Sequence, residues 1–131
     1  MSRTTIAIPA ETNDGLGSQR SNHFGHSQYF TVLELDNGQV KSTKMLTNIA
    51  HDAGGCMQPV GLLAENGVEA LMVGGIGRGP FARLHQQGIR VFFADLAQYP
   101  NMQATVDAFV ANKLPLLHPD QLCTNNGTCH H

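Results

Sequence analysis

The chain opens with apolar and β-branched residues in the run TTIAIPA, which predicts a strand from Thr4 to about Pro9. A polar stretch, ETNDGLGSQRSN, follows it and predicts a long loop. In a small domain, a loop of that length argues for a function more than for a plain connection. Apolar and β-branched positions return in YFTVLELDNGQVKSTKML. At its centre, Asp36-Asn37-Gly38 tolerates positive φ, so this segment predicts a β-hairpin.

Beyond the loop TNIAHDAGGCMQ, Pro59 suits the first turn of a helix on which Val60, Leu63 and Ala64 share a face. Asn66-Gly67 stops it. The run VEALMVGG is almost continuously apolar, the pattern of a strand covered on both faces. A second helix is predicted from Pro80, with Phe81, Leu84 and His85 at the i, i+3, i+4 spacing and Gly88 as its end. IRVFFA reads as another buried strand. The third helix begins near Asn101 and turns Met102, Thr105, Val106, Phe109 and Val110 toward the core.

Strands that alternate with helices imply parallel neighbours joined by right-handed crossovers. The expected fold class is therefore α/β: three layers, with a mixed sheet of about five strands, one of them antiparallel, and helices on both faces. Residues 1–113 form the predicted domain and 114–131 a C-terminal tail, expected to be flexible. Strand directions follow from the order. With the first strand running up, the second descends and the third rises, so the loops holding His23 and His26, His51 and Cys56, Gly74–Pro80, and Asp95 share one end of the sheet. That end is the carboxyl edge, where open α/β sheets bind their ligands.

Composition narrows the function. The 131 residues are 41% hydrophobic and 14% charged, enough for one domain with a sizeable core. Eight Lys and Arg against ten Asp and Glu give a net charge of -2, so no broad basic face points to nucleic acid. No apolar run approaches the roughly 20 residues that a membrane crossing needs. The three cysteines, Cys56, Cys123 and Cys129, cannot all pair within one chain, and no signal-like segment precedes the first strand. The expected compartment is the reducing cytoplasm.

Seven histidines are the unusual ionisable class, since neutral imidazoles bind metals. His23 and His26 flank Phe24-Gly25 in NHFGH, and imidazole is a borderline ligand for iron, copper or zinc. The plainer reading is a turn capped by Asn22. His51 and Cys56 stand five apart across two glycines, and a thiolate is the soft ligand that iron–sulfur species favour. Read plainly, Cys56 is a small buried hydrophobe. The loop GGIGRGP offers Gly75, Gly77, Arg78 and Gly79 before a helix start, an arrangement suited to an anion. It departs from the dinucleotide pattern, because Pro80 stands where a third glycine belongs. A tight strand-to-helix turn is its structural alternative.

The tail CTNNGTCHH separates Cys123 from Cys129 by six positions, with His130 beside the second, and lacks the short spacing of a zinc knuckle. No nucleophile elbow and no phosphate-binding P-loop are present. The inner stretches TIAIPA, ALMVGG and RVFFA carry no carboxylate before Asp95, which argues against a metal-dependent nuclease.

NHFGHSQYF, a hairpin, and then GLLAENGVEALMVGGIGRGPFARLHQQGIRVF together resemble the dinitrogenase iron-molybdenum cofactor biosynthesis family, of the NifX and NifB carboxyl-terminal type, over about Thr4 to Lys113. The resemblance implies a ribonuclease-H-like fold and a protein that binds, carries or delivers a metal–sulfur cluster without enzymatic turnover. It implies an iron-sulfur or iron-molybdenum type cluster as cofactor and a cluster donor or acceptor protein as partner, while charge and hydropathy above point to neither nucleic acid nor membrane. By that resemblance His23 takes the place of the family's cluster-binding histidine; His26, His51 and Cys56 are candidate supporting metal ligands on the reading of the loops above. Gly75, Gly77 and the adjacent Arg78 correspond to the family's glycine loop. His26 and the tail cysteines depart from the commoner pattern, and the radical-enzyme half of the NifB proteins is absent. A metal-free module that binds small anions or nucleotides through GGIGRGP is the competing expectation.

Overall fold

In a computed structural model of the chain, residues 3–21, 28–47 and 57–117 are described. Five strands form one sheet: β1 (Arg3–Ala10), β2 (Tyr29–Asp36), β3 (Gln39–Thr47), β4 (Ala70–Val73) and β5 (Arg90–Phe93). Three helices accompany them, α1 (Met57–Glu65), α2 (Arg78–Gln86) and α3 (Met102–Val110), with a 3₁₀ turn at Gly15–Gly17. The strand order is β3-β2-β1-β4-β5. β2 runs antiparallel to both β1 and β3, while β1, β4 and β5 are parallel.

The two-residue periodicity of β1 sorts its side chains onto opposite faces. Ala7 packs with Val60 and Leu63 of α1 and Leu84 of α2. Ile6, Ile8 and Ala10 pack with Met102, Val106 and Ala108 of α3. All four residues of β4 are buried, as a central strand between two helical layers requires. The crossovers β3-α1-β4 and β4-α2-β5 step in the same direction across the sheet, so a common hand puts both helices on one face. α3 leaves the outermost strand and returns across the other face.

The hairpin forms as the Asp36-Asn37-Gly38 signal requires. Asn37 has φ 53° and Gly38 φ 82°, the two positive values of the turn whose twist matches paired strands. α1 buries Val60 and Leu63, half-buries Ala64, and ends at Gly67 with φ 73°.

Several expectations change. Val110, expected on the core stripe of α3, is 39% exposed, while Ala108 is buried instead. α2 starts at Arg78, two residues before Pro80, because Gly77 is its cap and a proline in the first turn costs no hydrogen bond. His85 is exposed, since Phe81 and Leu84 alone meet the sheet and the next position turns outward. β5 is half-buried, being the edge strand, and residues beyond α3 cover its outer side. Phe93 N donates to Pro115 O and Leu117 N to Val91 O, each at 2.9 Å. Leu114 and Leu117, 7% and 5% exposed, join the core, which therefore extends past Lys113. Among the described residues no helix is long and apolar enough to cross a membrane.

Candidate functional site

β1, β4 and β5 end on the same edge of the sheet, where β2 begins and β3 ends. Ala10 pairs with Tyr29, and Tyr29 with Thr47. Between β1 and β4 the connections diverge, β1 leading to β2 on one side and β4 to β5 on the other. Such a divergence opens a crevice at the carboxyl ends of the strands. Ser21, Gln28 and Thr47 bound the two segments that carry His23, His26, His51 and Cys56. Those four residues lie outside the described residues, as do Cys123, Cys129 and His130.

The glycine loop reaches this edge directly from β4. Ile76, 2% exposed, anchors it in the core, while Gly75 and Gly77 are half-buried and Arg78 and Gly79 exposed. Gly77 caps α2 with φ -79° and ψ 168°, and no side chain caps the helix. Its backbone does not need glycine, and an added Cβ would meet Pro80 Cδ at an ordinary 3.7 Å. Without a side chain there, no cap covers the amides at the start of α2, which carry partial positive charge. No acidic residue occupies that first turn. Of the residues singled out in the sequence, Gly75, Gly77, Arg78 and Gly79 thus stand together at the carboxyl edge. Among the described residues, no group of three or more His, Cys, Asp or Glu could hold a metal ion.

Arg20, in a polar loop with no sign of burial in its sequence, is a tightly held cation at this edge. It is 2% exposed. Nη1 donates to Tyr99 O at 2.6 Å and Nη2 to Ala94 O at 3.0 Å, both in the loop after β5. Nε is buried and, among the described residues, has no hydrogen-bond partner. Burial lowers the guanidinium from its ordinary pKa to about 10, against the opposing charge of Asp95. Backbone bonds set the stem around it: Glu11 N to Gln19 O at 2.8 Å and Ser21 N to Pro9 O at 2.9 Å. Antiparallel bridges join Ala10 to Arg20 and Gln19 to Asn101. Nothing in SQRSN marks this arginine as buried, because arginines in polar loops are solvated by default.

Two cavities, of about 280 and 270 Å³, lie elsewhere. The first is an apolar groove between the end of α2 and Leu116-Leu117, and the second adjoins the hairpin turn and the end of α3.

Residues 4–112 match the family model described as dinitrogenase iron-molybdenum cofactor. Over 114 residues the chain is 30% identical to an uncharacterised protein of Methanocaldococcus jannaschii, covering 83% of this chain and 87% of that one. Its structure is similar to the apo form of the orange protein from Desulfovibrio gigas, with a TM-score of 0.76 and 25% identity over 87% of this chain and 92% of that chain. It is also similar to a candidate NifB protein from Thermotoga, with a TM-score of 0.71 and 27% identity over 95% and 99% of the two chains.

Proposed function

This chain belongs to the dinitrogenase iron-molybdenum cofactor family, and we propose that it binds an anionic iron-sulfur or iron-molybdenum type cluster and carries or delivers it without catalytic turnover. The observation that carries this reading is the convergence at the carboxyl edge: the glycine loop and the described ends of both His- and Cys-bearing segments meet there in a member of this family. His23 is the principal ligand in this proposal, with His26, His51 and Cys56 in support. Imidazole and thiolate are the donors that suit iron and molybdenum–sulfur species. Gly75, Gly77 and Gly79 present backbone donors, and Arg78 a cation, to the anionic face of the cargo. The strand order, with β2 alone antiparallel, supports the ribonuclease-H-like name for this fold. A cluster donor or acceptor protein is the expected partner.

Anaerobic reconstitution with iron, sulfide and molybdate tests the proposal. A protein-bound chromophore is expected, and His23→Ala should weaken its retention by about tenfold or more, as loss of a group that holds or orients a metal does. A variant that loads like wild type would remove the central assignment. Elemental analysis of protein purified without oxygen identifies the native metal.

A second reading rests on the uncapped start of α2, which leaves amides available to a small anion or nucleotide without metal. Thermal shifts separate the two, because a ligand that prefers the native state raises its melting point. Phosphate compounds alone stabilise the protein in the second reading, and metal with sulfide in the first.

A further inference from the structure

We infer that Arg20 is a positioning residue for the carboxyl-edge site: its guanidinium locks the stem Gln19–Ser21, which leads into the segment carrying His23, to the loop that follows β5. The inference rests on the functional reading above only for what the lock serves. Its geometry stands on described residues alone.

On one side the stem is held by backbone, through Ser21 N to Pro9 O and the bridge from Arg20 to Ala10. Toward β5 the backbone supplies the bridge from Gln19 to Asn101, and the Arg20 side chain supplies the rest. Its two terminal nitrogens reach carbonyls five residues apart, Ala94 O and Tyr99 O. That loop is itself folded into a tight turn, with Tyr99 N donating to Asp95 O at 2.8 Å and Ala97 N to Asp95 Oδ1 at 3.2 Å. A rigid planar fork sets the spacing of two acceptors, which a single ammonium on a flexible stem does not.

Stability argues both ways for an arginine here. Burying the charge costs desolvation and, among the described residues, Nε gains no partner; an apolar side chain of similar volume would avoid both penalties but leave the Ala94 and Tyr99 carbonyls without these donors. What the apolar residue could not do is hold two loops of the same edge in fixed relation. Where ligands from separate loops must meet one cargo, the groups that orient those loops decide affinity.

The test compares wild type with Arg20→Met, Arg20→Lys and Val106→Ala, the last a core substitution on α3 away from this edge. In metal-free protein, hydrogen exchange should accelerate in Arg20→Met at both 19–21 and 94–101. Acceleration confined to one of the two segments would overturn the lock. After anaerobic reconstitution with iron, sulfide and molybdate, at a temperature where every variant is folded, Arg20→Met should retain about tenfold less metal. The visible circular dichroism of what it binds should also change. Val106→Ala should load normally with an unaltered spectrum, because lost stability does not by itself reshape a site. Arg20→Lys, with the charge but not the fork, should fall between. An Arg20→Lys protein indistinguishable from wild type would overturn the inference, and so would normal loading and spectrum in Arg20→Met. If wild type itself takes up no metal, the functional reading fails, while the exchange comparison still decides the lock.

Discussion

Asn101 and Arg20 lie at opposite ends of what a residue's neighbours in the sequence reveal. Asn101 Oδ1 accepts from Ala104 N at 2.8 Å and caps α3, at the position where the apolar stripe begins. Asn101→Ala should cost about 1 kcal/mol, measured from the urea midpoint at unchanged slope. Arg20 is the reverse case, since its role depends on carbonyls 74 and 79 positions away. Its folded-state pKa is lowered to about 10, below the unfolded value. Up to about pH 9 the guanidinium is charged in both states, and the desolvation cost is constant. Above about pH 10 the folded chain releases the proton first, the unfolded chain binds more protons, and stability rises with pH. The difference in unfolding free energy between wild type and Arg20→Met should be flat from pH 6 to about pH 9. It should then move in favour of wild type at about pH 10 and above.

Each of the three helices ends for a local reason. α1 and α2 close on glycines with φ 73° and 78°, and α3 on Asn112 with φ 59°. In all three, the next amide reaches back to the final turn: Val68 N to Leu63 O, Ile89 N to Leu84 O and Lys113 N to Ala108 O. Asn66-Gly67 and Gly88 announced two of these stops in the sequence. The cover on β5 was not announced, because LPLL after Lys113 is too short to show a period. Leu117 is 5% exposed and hydrogen-bonded to Val91, whereas its neighbour Leu116 is 54% exposed. Leu117→Ala should therefore cost about 2–4 kcal/mol. Leu116→Ala should stay within about 0.5 kcal/mol, and thermal unfolding of the pair checks the contrast.

For the whole molecule, the sheet order decides where chemistry can assemble. Five strands with β2 reversed bring four connections to one edge, and β4, buried on both faces, holds the glycine loop on a rigid base. A cargo bound across those connections should stabilise the native chain by mass action, by about 2.7 kcal/mol when free cargo is about 100-fold above its Kd. Reconstituted protein should then melt higher than metal-free protein, and stripping the metal with a chelator should return the lower melting point. A reconstituted sample that melts with the metal-free one would speak against binding to the folded domain.

Period and punctuation in the sequence determined the elements, their order, and the meeting of the glycine loop with its neighbours at the carboxyl edge. These signals are local, since a strand alternates, a helix repeats its apolar face, and Gly or Asn marks positive φ wherever it falls. Only the tertiary structure decided that β5 lies at the edge under a strap from 114–117 and that His85 faces outward. It alone buried an arginine from a polar loop between two others. Burial and partnership of a polar group depend on atoms far away in the chain, and no window along the sequence contains them.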